Sequence, residues 1–501
     1  MENSFWIDST KNIAPKFKSL NKNLNCDVCI IGGGITGIST AYKLSQKGLK
    51  VIVLERDFIG SKATGHTTGK LSSQHDVFYK YLVDSKGSSF AKDYLQANEN
   101  AILDIKNIID SENIDCDFEF QDSYVFSEEE KEIPILKEEA SIVNSLGLSA
   151  NYLESLELPL DIKACVKFPN QAQFHPLKYI YGLANCIIKR NGEIYEKTAV
   201  YDIEKKDNVY VTRTDNYTVS SEYVIVASRY PFMKLSGLYF LKMYQSMSYA
   251  IACKVDSHNF SGMYINTKEP IISFRYAKDE NKNILIVTGN GHKIGENKIQ
   301  ENPFELLENI ALKLHPEAQI LNRWCTEDCI SLDKIPYIGN LSESMPKAFV
   351  ATGFKKWGLT TSNIASNLLT DLILGKENHY KEIFLSKRFE PIKNREELTN
   401  MIKESVSSLV IDKFKIPEEN LKDISNGEGK IIDYNSNKIG VYKNENGKVY
   451  AVKPICTHLG CLLEFNNIEK TWDCPCHGSR FSYDGTSIYS PAMKNLDKYE
   501  L

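Results

Sequence analysis

Residues 25–55 alternate between apolar runs and polar breaks in a way that predicts a strand, a helix and a second strand. One apolar run leads into a cluster of three glycines, and a second run occupies 51–54. Between them, Ile38, Ala41 and Leu44 recur at the spacing that places side chains on one side of a helix. Gly48 then ends the helical pattern. We therefore predict a β-α-β unit whose helix packs on a sheet.

Downstream patterns extend this picture to the whole chain. Short alternating runs at 195–226 and a segment rich in strand formers and aromatic residues at 244–291 predict strands. Helical periodicity recurs at about 90–111, 128–147, 303–314 and 396–409. Residues 348–375 predict a strand, a glycine turn and then a long helix.

A change of composition after Gly375 predicts a domain boundary. Residues 1–375 form one unit with two interleaved parts, of which the second lies mainly in 85–160 and 240–325. The charged segment 376–415 is interpreted as a connector. Short strands separated by glycine-containing turns predict a small all-β domain in 416–501.

Composition excludes several classes of protein. The chain has 501 residues with 42% hydrophobic and 25% charged residues, which is typical of globular domains and not of disordered chains. A formal charge of −5 argues against nucleic acid or an anionic membrane as the main partner. The first twelve residues lack the apolar core of a signal peptide, and no stretch approaches the roughly 20 apolar residues of a membrane span. We expect a soluble cytoplasmic protein with no transmembrane segment.

The glycine cluster has the spacing of a dinucleotide-binding turn. Gly32, Gly34 and Gly37 follow a strand and open a helix, so that the backbone can approach a pyrophosphate at the helix N-terminus. Glu55 ends the second strand, where a carboxylate can accept from ribose hydroxyls. The motif predicts a bound dinucleotide but does not distinguish NAD from FAD.

Cysteine and histidine residues crowd into the last fifty positions. Cys456 and His458 lie in one segment, and Cys474 and His477 lie in another. Two thiolates on one iron and two imidazoles on the other would make a Rieske [2Fe–2S] centre. Zinc held by the same residues is the alternative, although it leaves two of the local ligands unused.

Residues 1–375 resemble the FAD-dependent amino acid oxidase superfamily, which includes D-amino acid oxidase, glycine oxidase and sarcosine oxidase. The resemblance rests on the segments IIGGGITGISTAYKLSQKGLKVIVLER, TGHTTGKLSSQH, VIVASRYPF, IPYIG and ATGFKKWGLT. It implies an α/β Rossmann-type FAD-binding domain with an interleaved mixed β-sheet substrate domain. The FAD-lining residues that it implies are Gly32, Gly34, Gly37, Glu55, Thr67, Thr68, Lys70, Leu71, Val200, Gly353, Gly358 and Thr360.

The C-terminal segments CTHLGC, CPCHGS and SPA resemble Rieske proteins, and some members of the oxidase superfamily end in such a domain. The resemblance implies that Cys456, His458, Cys474 and His477 hold the cluster and that Cys461 and Cys476 form a disulfide. It also implies a hydrogen bond from Ser479 to cluster sulfur. Phe481 stands where high-potential relatives carry a tyrosine, so we expect a potential in the lower part of the Rieske range.

Three residues are candidates for catalysis. His175 precedes a predicted helix in a region that reaches the substrate side in the oxidase superfamily, although a cap of that helix or another satisfied polar role is the favoured alternative. Lys355 could place positive charge near the flavin. Arg275 could bind a substrate carboxylate, as could Arg229, although either could form a salt bridge instead.

A flavin joined to a one-electron cluster predicts a particular kind of oxidoreductase. The leading hypothesis is a dehydrogenase that oxidises an amine or amino acid C–N bond at FAD and passes electrons singly through the cluster to an external one-electron carrier. The amine substrate is implied by the resemblance alone. Two alternatives stay open: a reductase in which electrons run from the cluster to FAD, and a redox relay or sensor with no substrate of its own.

Overall fold

The computed structural model describes residues 3–232, 236–279, 282–295, 302–388, 421–435 and 437–501. The predicted helix at 396–409 and most of the predicted connector lie outside the described residues. Within them the chain forms eight α-helices, which are α1 Phe5–Thr10, α2 Ile35–Gln46, α3 Tyr79–Lys86, α4 Ser88–Glu112, α5 Ile133–Leu146, α6 Pro176–Lys189, α7 Pro303–Leu314 and α8 Gly358–Ile373.

The strands of the described part fall into a long N-terminal set and a shorter C-terminal set. The N-terminal set is β1 Leu24–Ile31, β2 Val51–Leu54, β3 Lys70–Leu71, β4 Glu119–Ser127, β5 Asn151–Leu153, β6 Ala164–Gln173, β7 Glu193–Tyr195, β8 Asp202–Lys206, β9 Val209–Arg213, β10 Thr218–Val226, β11 Met243–Val255, β12 Met263–Asn266, β13 Ile272–Asp279, β14 Lys282–Lys293, β15 Gln319–Ser331, β16 Tyr337–Ser342 and β17 Met345–Thr352. The C-terminal set is β18 Gly429–Tyr434, β19 Asn437–Lys443, β20 Val449–Val452, β21 Glu464–Asn466, β22 Thr471–Asp473, β23 Arg480–Ser482 and β24 Ser487–Tyr489.

The first sheet contains the predicted β-α-β unit. Its order is β16-β17-β10-β1-β2-β7, with β1, β2, β7, β10 and β17 parallel and β9 adding antiparallel to β10. The strands β1 and β2 are buried and almost wholly apolar where they pair, as a central parallel sheet requires. The helix α2 packs against α6 and α8 on one side of this sheet. The ends of β1, β2 and β10 therefore open together beside the start of α2.

A second sheet lies across the opening of the first. Its order is β15-β11-β14-β13-β12-β4-β6-β3, and the parallel pair of β12 with β4 makes it a mixed sheet. It draws on Lys70–Leu71 and Ala164–Gln173 and runs to Ser331, beyond the ranges predicted for the second part. The two parts alternate along the chain, so each crossing brings a loop to the space between the sheets.

The C-terminal residues form two small antiparallel sheets, β18-β19-β20 and β21-β22-β23-β24. Their shared core includes Trp472 and Phe481 together with four cysteines, Cys456, Cys461, Cys474 and Cys476. Two loops leave this core next to each other and carry the cysteine and histidine motifs.

Candidate functional site: a cavity between two sheets and a pair of cysteine-histidine loops

A long cavity of about 310 Å³ begins at the glycine turn and ends at the second sheet. Gly32 has a φ of +111°, and a Cβ there would lie 2.7 Å from the carbonyl oxygen of Ala227. Only glycine therefore permits this turn. Gly34 is the N-cap of α2 and provides no side-chain cap. The Thr64 hydroxyl accepts from the N–H of Ile35 over 3.0 Å, and Gly34, Ile35 and Thr36 line the cavity, so the N-terminus of α2 opens on it.

Glu55 organises the turn from the end of β2. Its carboxylate accepts from the backbone N–H of Gly33 over 2.7 Å and from that of Asp57 over 2.8 Å. Burial raises the pKa of Glu55, while these two N–H donors act in the opposite direction. The carboxylate lines the cavity and retains acceptor capacity for a hydroxyl.

Ten of the twelve predicted FAD residues line this cavity. The two that do not are Gly37 and Leu71. A Cβ on Gly37 would lie 1.9 Å from the carbonyl oxygen of Gly32, so this glycine permits helix and strand to approach and does not reach the ligand. Leu71 is fully buried in the main hydrophobic core. A cavity bounded by a glycine turn at one end and by a polar sheet at the other fits an extended dinucleotide such as FAD.

The three predicted catalytic residues lie outside the cavity lining. His175 caps α6, with Nδ1 accepting from the N–H of Lys178 and Nε2 bonded to the Ser9 hydroxyl, and burial lowers its pKa to about 3. Arg275 donates to three carbonyl groups, those of Thr68, Phe174 and Tyr276.

Lys355 likewise has a structural environment. Its Nζ lies 3.6 Å from Asp76 Oδ2 and 3.9 Å from the ring centroid of Phe78. Most of these contacts join residues that are distant in sequence. The exceptions are the bond from Arg275 to the adjacent Tyr276 and the cap at His175, which Pro176 signals directly.

Different polar side chains occupy the end of the cavity at the second sheet. They are Lys70, Ser248, Ser273, Thr288, Asp328 and Lys356. Lys70 Nζ donates to the carbonyl of Tyr264 and to the hydroxyl of Ser273, and burial together with the nearby Arg275 lowers its pKa to about 7. Sequence reasoning expected Lys70 only as a FAD neighbour and did not identify Asp328. No local motif marks Asp328, because its position depends on strand pairing.

The two cysteine-histidine loops meet at one buried point. The rings of His458 and His477 have centroids 5.1 Å apart, and Cys461 is joined to Cys476 by a disulfide with a Cα–Cα distance of 6.7 Å. Cys456 and Cys474 are buried free thiols. A hydrogen bond with Cys474 lowers the pKa of Cys456 to about 7.

The donor set at this point fits an iron–sulfur cluster. Nδ1 of His477 is buried and has no hydrogen-bond partner among the described residues. Burial and the adjacent His458 lower the pKa of His477 to about 3, which keeps the imidazole in the neutral form that binds a metal. Ser479 Oγ accepts from the N–H of Ala492 over 3.0 Å and donates to Cys456. The site therefore offers two thiols, two imidazoles and a hydroxyl donor to sulfur.

The cluster loops are packed against the second sheet. Gln245 of β11 donates from Nε2 to the carbonyls of His477 and Ser490, over 2.5 and 3.0 Å. The ring of Phe240 lies 5.7 Å from that of His477. Gly478 has a φ of +72°, and a Cβ there would lie 2.6 Å from Cβ of Gln245. The backbone of the cluster loop at 477–478 therefore contacts the Gln245 side chain directly across this interface.

A buried charge network joins the cavity wall to the cluster loops. Glu327 of β15 accepts from Arg229 over 2.8 Å and from Arg480 over 3.0 Å. Arg480 also donates to Asp473 over 2.9 Å and follows Ser479 directly. Arg229 also lines the cavity. It forms a salt bridge, the alternative that the sequence offered to binding a substrate carboxylate. The Glu327 carboxylate therefore connects the cavity wall to the cluster loops.

Comparison with known proteins identifies both parts. The family model described as FAD dependent oxidoreductase matches residues 27–372, and the model described as Rieske [2Fe-2S] domain matches 415–500. The chain belongs to the FAD-dependent oxidoreductase family. The predictions of its fold class, its FAD and its [2Fe–2S] cluster are confirmed. The alternative prediction of a zinc site is not confirmed.

Individual relatives span one or both parts. The Rieske 2Fe-2S iron-sulfur protein YhfW of Bacillus subtilis (strain 168) is 37% identical over 498 residues, which cover 99% of this chain and 97% of that protein. Gamma-glutamylputrescine oxidoreductase of Escherichia coli (strain K12) is 25% identical over 394 residues, 75% of this chain and 90% of the relative. Glycine oxidase from Geobacillus kaustophilus covers 74% of this chain and all of its own, with a TM-score of 0.62 at 18% identity, and shares the fold.

The family establishes the class of activity. The protein is a FAD-dependent oxidoreductase with a Rieske domain. None of the helices in the described residues has the length and apolarity needed to cross a bilayer.

Proposed function

We propose that this oxidoreductase oxidises an amine or amino acid C–N bond and passes the electrons one at a time to an external carrier protein. A bound flavin accepts two electrons from an organic substrate, and a [2Fe–2S] cluster carries one electron at a time. Loss of two electrons and two protons converts the amine to an imine, which water hydrolyses. The cytoplasmic location expected from the sequence is part of this proposal.

One observation carries the proposal: residues of the Rieske domain form part of the wall of the flavin cavity. Tyr489, Ser490 and Met493 line the same cavity as Gly32 and Glu55. Ser490 also shares its Gln245 contact with the carbonyl of His477, a proposed cluster ligand. This shared wall places the Rieske domain beside the flavin site, which favours electron transfer between the flavin and the cluster over an independent relay domain.

The arrangement of the loops supports an assignment of the cluster ligands. We assign Cys456 and Cys474 to one iron and His458 and His477 to the other, with the Cys461–Cys476 disulfide holding the loops together. Arg229, Glu327 and Arg480 keep the loops against the cavity, and Gln245 fixes the backbone of His477. For FAD, we assign the ten cavity-lining residues described above, with Gly37 supporting the turn.

The C–N chemistry is supported by relatives. One is named for oxidation or reduction of gamma-glutamylputrescine, and the structural neighbours include glycine oxidase. The cavity end at the second sheet carries hydroxyl, ammonium and carboxylate groups, which suit a small polar amine.

The test is an anaerobic titration of the purified protein with a panel of amines and amino acids, followed by absorbance and low-temperature EPR. We expect one compound to bleach the flavin band and a rhombic Rieske signal to follow. If dithionite develops both signals and none of the compounds does, the proposal fails. A reductase or relay would then account for the protein, and electron donors would be screened in place of substrates.

A further inference from the structure

Five consecutive backbone carbonyls, from Gly65 to Gly69, each accept a hydrogen bond from a distant segment of the chain. The donors are Ser4 Oγ to Gly65, Trp324 Nε1 to His66 over 2.9 Å, Trp6 Nε1 to Thr67 over 2.6 Å, Arg275 Nε to Thr68 over 2.5 Å, and the N–H of Phe174 to Gly69 over 3.1 Å. The five donor residues lie outside the lining of the cavity, whereas Thr67 and Thr68 belong to it. The loop 65–69 therefore directs its carbonyls away from the cavity.

The same peptide groups direct N–H bonds into the cavity. The peptide bonds of this loop are trans, so the carbonyl of one residue and the N–H of the next point in opposite directions. Because the carbonyls of His66 and Thr67 are held outside, the N–H groups of Thr67 and Thr68 face inward. No acceptor for either N–H occurs among the residues that the structure describes. Two neighbouring donors at the cavity surface are thus available to the cofactor.

Helix α1 supplies two of the donors that hold this loop, and two of the predicted catalytic residues hold α1. Ser4 is the N-cap of α1, and Trp6 is almost completely buried. The guanidinium carbon of Arg275 lies 5.2 Å from the Trp6 ring centroid, and the His175 ring lies 4.8 Å from it. His175 Nε2 also bonds to Ser9 Oγ over 3.1 Å. Arg275 and His175 therefore fix α1 against the loop.

Strand β15 holds the loop from the second sheet. It carries Trp324, which bonds to the loop, and Asn322, which bonds to α1 and the residues before it. Asn322 Nδ2 donates to Asp8 Oδ2 over 2.7 Å and to the carbonyl of Asn3 over 3.2 Å. Helix α1 precedes residues 27–372, the range that matches the FAD dependent oxidoreductase model. The loop is thus held partly by a helix outside the matched range.

We propose that Trp6 and Trp324 are positioning residues, which hold the loop 65–69 so that the N–H groups of Thr67 and Thr68 donate to the flavin ring system and raise its reduction potential. Reduction adds negative charge to the ring system, and donated hydrogen bonds stabilise that charge. Without an indole N–H, the carbonyl it held is released and its peptide group is free to turn. The inference goes beyond the proposed function, since it holds for any substrate and for either direction of electron flow.

Two substitutions remove the indole donors and keep an aromatic ring. We expect Trp6→Phe and Trp324→Phe each to favour the oxidised flavin by roughly 3- to 10-fold, the effect of one weakened hydrogen bond. A tenfold change corresponds to about 30 mV for a two-electron couple. The flavin potential is measured on the full-length, FAD-loaded protein by equilibration with reference dyes. The dissociation constant of FAD, measured from the fluorescence of flavin released on serial dilution, should rise by a similar factor.

The matched control is Trp472→Phe. Trp472 is also fully buried, and its Nε1 donates to a carbonyl, that of Tyr483 over 3.3 Å, but it lies in the core of the Rieske domain. This substitution should leave the flavin potential and the FAD dissociation constant unchanged, whatever it does to the Rieske domain. Trp6 and Trp324 belong to different segments, so the test is kept if one of the two variants does not fold.

An unchanged flavin potential in folded Trp6→Phe or Trp324→Phe protein would overturn the inference. This holds even if stability or FAD affinity falls, because the loop would then close the cavity without reaching the flavin ring. An equal shift of potential in Trp472→Phe would also overturn it, since the effect would not be specific to the loop. The dye titration uses no amine, so failure of amines to bleach the flavin bears on the proposed function and leaves this inference standing.

Discussion

Single hydrogen bonds to sulfur are the finest level at which this sequence tunes its chemistry. Ser479 is fully buried, and its hydroxyl is oriented by the N–H of Ala492 so that its proton is available to Cys456. A donor to sulfur stabilises the more negative, reduced cluster. The reduction potential therefore depends on this hydroxyl.

Replacing Ser479 by alanine should lower the reduction potential of the cluster. Without the Ser479 hydroxyl, the negative charge on the Cys456 sulfur loses a hydrogen-bond donor, which disfavours reduction of the cluster. EPR-monitored redox titration measures the change, with Ser482→Ala as the control because Ser482 donates to Asp484 at the surface. An unchanged potential in Ser479→Ala would show that the hydroxyl does not reach the cluster.

Replacing Phe481 by tyrosine should shift the potential in the opposite direction. Phe481 is fully buried in the same cluster of side chains as Cys456 and Cys474. A phenol hydroxyl there would add a second donor, so we expect the wild-type potential in the lower part of the range of roughly −150 to +300 mV and the variant above it. A variant that loses stability without any rise in potential would mean that the hydroxyl points away from sulfur.

At the scale of strands and helices, β15 has the central role because its two faces serve different sites. Thr326 and Asp328 face the cavity, while Glu327 faces the Rieske domain and holds Arg229 and Arg480. The Glu327 carboxylate and the Arg480 guanidinium are almost completely buried. Removing one member of such a network leaves the other charges buried without compensation.

Glu327→Gln should accordingly destabilise the docked Rieske domain by about 3–5 kcal/mol. A urea titration followed by the visible circular dichroism of the cluster measures the loss. The matched control is Glu308→Gln, which breaks a half-exposed pair with Arg323 of the same strand and should cost at most about 1 kcal/mol. If the two substitutions lowered the stability of the docked domain equally, the Glu327 network would not contribute specifically to docking.

The elements that the sequence predicted well are those specified by neighbouring residues. Helix α7 occupies the predicted 303–314. Helix α2 contains the predicted Ile38, Ala41 and Leu44 and ends before Gly48, because the glycine turn, the apolar spacing and the strand all lie within about thirty residues. The cysteine-histidine motifs are equally local. In contrast, Glu327 lies 98 residues from Arg229 and 153 from Arg480, and only the folded chain brings them together.

The positions of the catalytic candidates outside the cavity lining have the same physical origin. Arg275 carries a charge suited to a carboxylate, but three backbone carbonyls from different segments occupy its donors. Lys355 and Lys356 are adjacent and chemically identical, and only the left-handed turn decides that Lys356 faces the cavity. The residue types predicted that a lysine lies near the cavity, but the backbone conformation determines that this lysine is Lys356.

For the molecule as a whole, contacts between its two parts hold the Rieske domain against the flavin cavity. Besides the Glu327 network, Arg56 donates to the carbonyl of Ile488 over 2.6 Å, and Gln245 bonds to two carbonyls of the cluster loops. Arg56 directly follows Glu55 in the cavity wall. Separation of the domains would break these contacts and open the flavin cavity at the same time.

Cutting the segment 376–415 at an engineered protease site should therefore leave the two parts bound. We expect the fragments to elute together in size-exclusion chromatography, and the cluster to be reduced after photoreduction of the flavin at the rate of the uncut protein. The same cut in the Glu327→Gln background should release the Rieske domain and slow reduction in proportion to dilution, because encounter then becomes bimolecular. If the cut alone produced dissociation and slow reduction, the tether and not the interface would hold the domains together, and a mobile Rieske domain would replace the docked one.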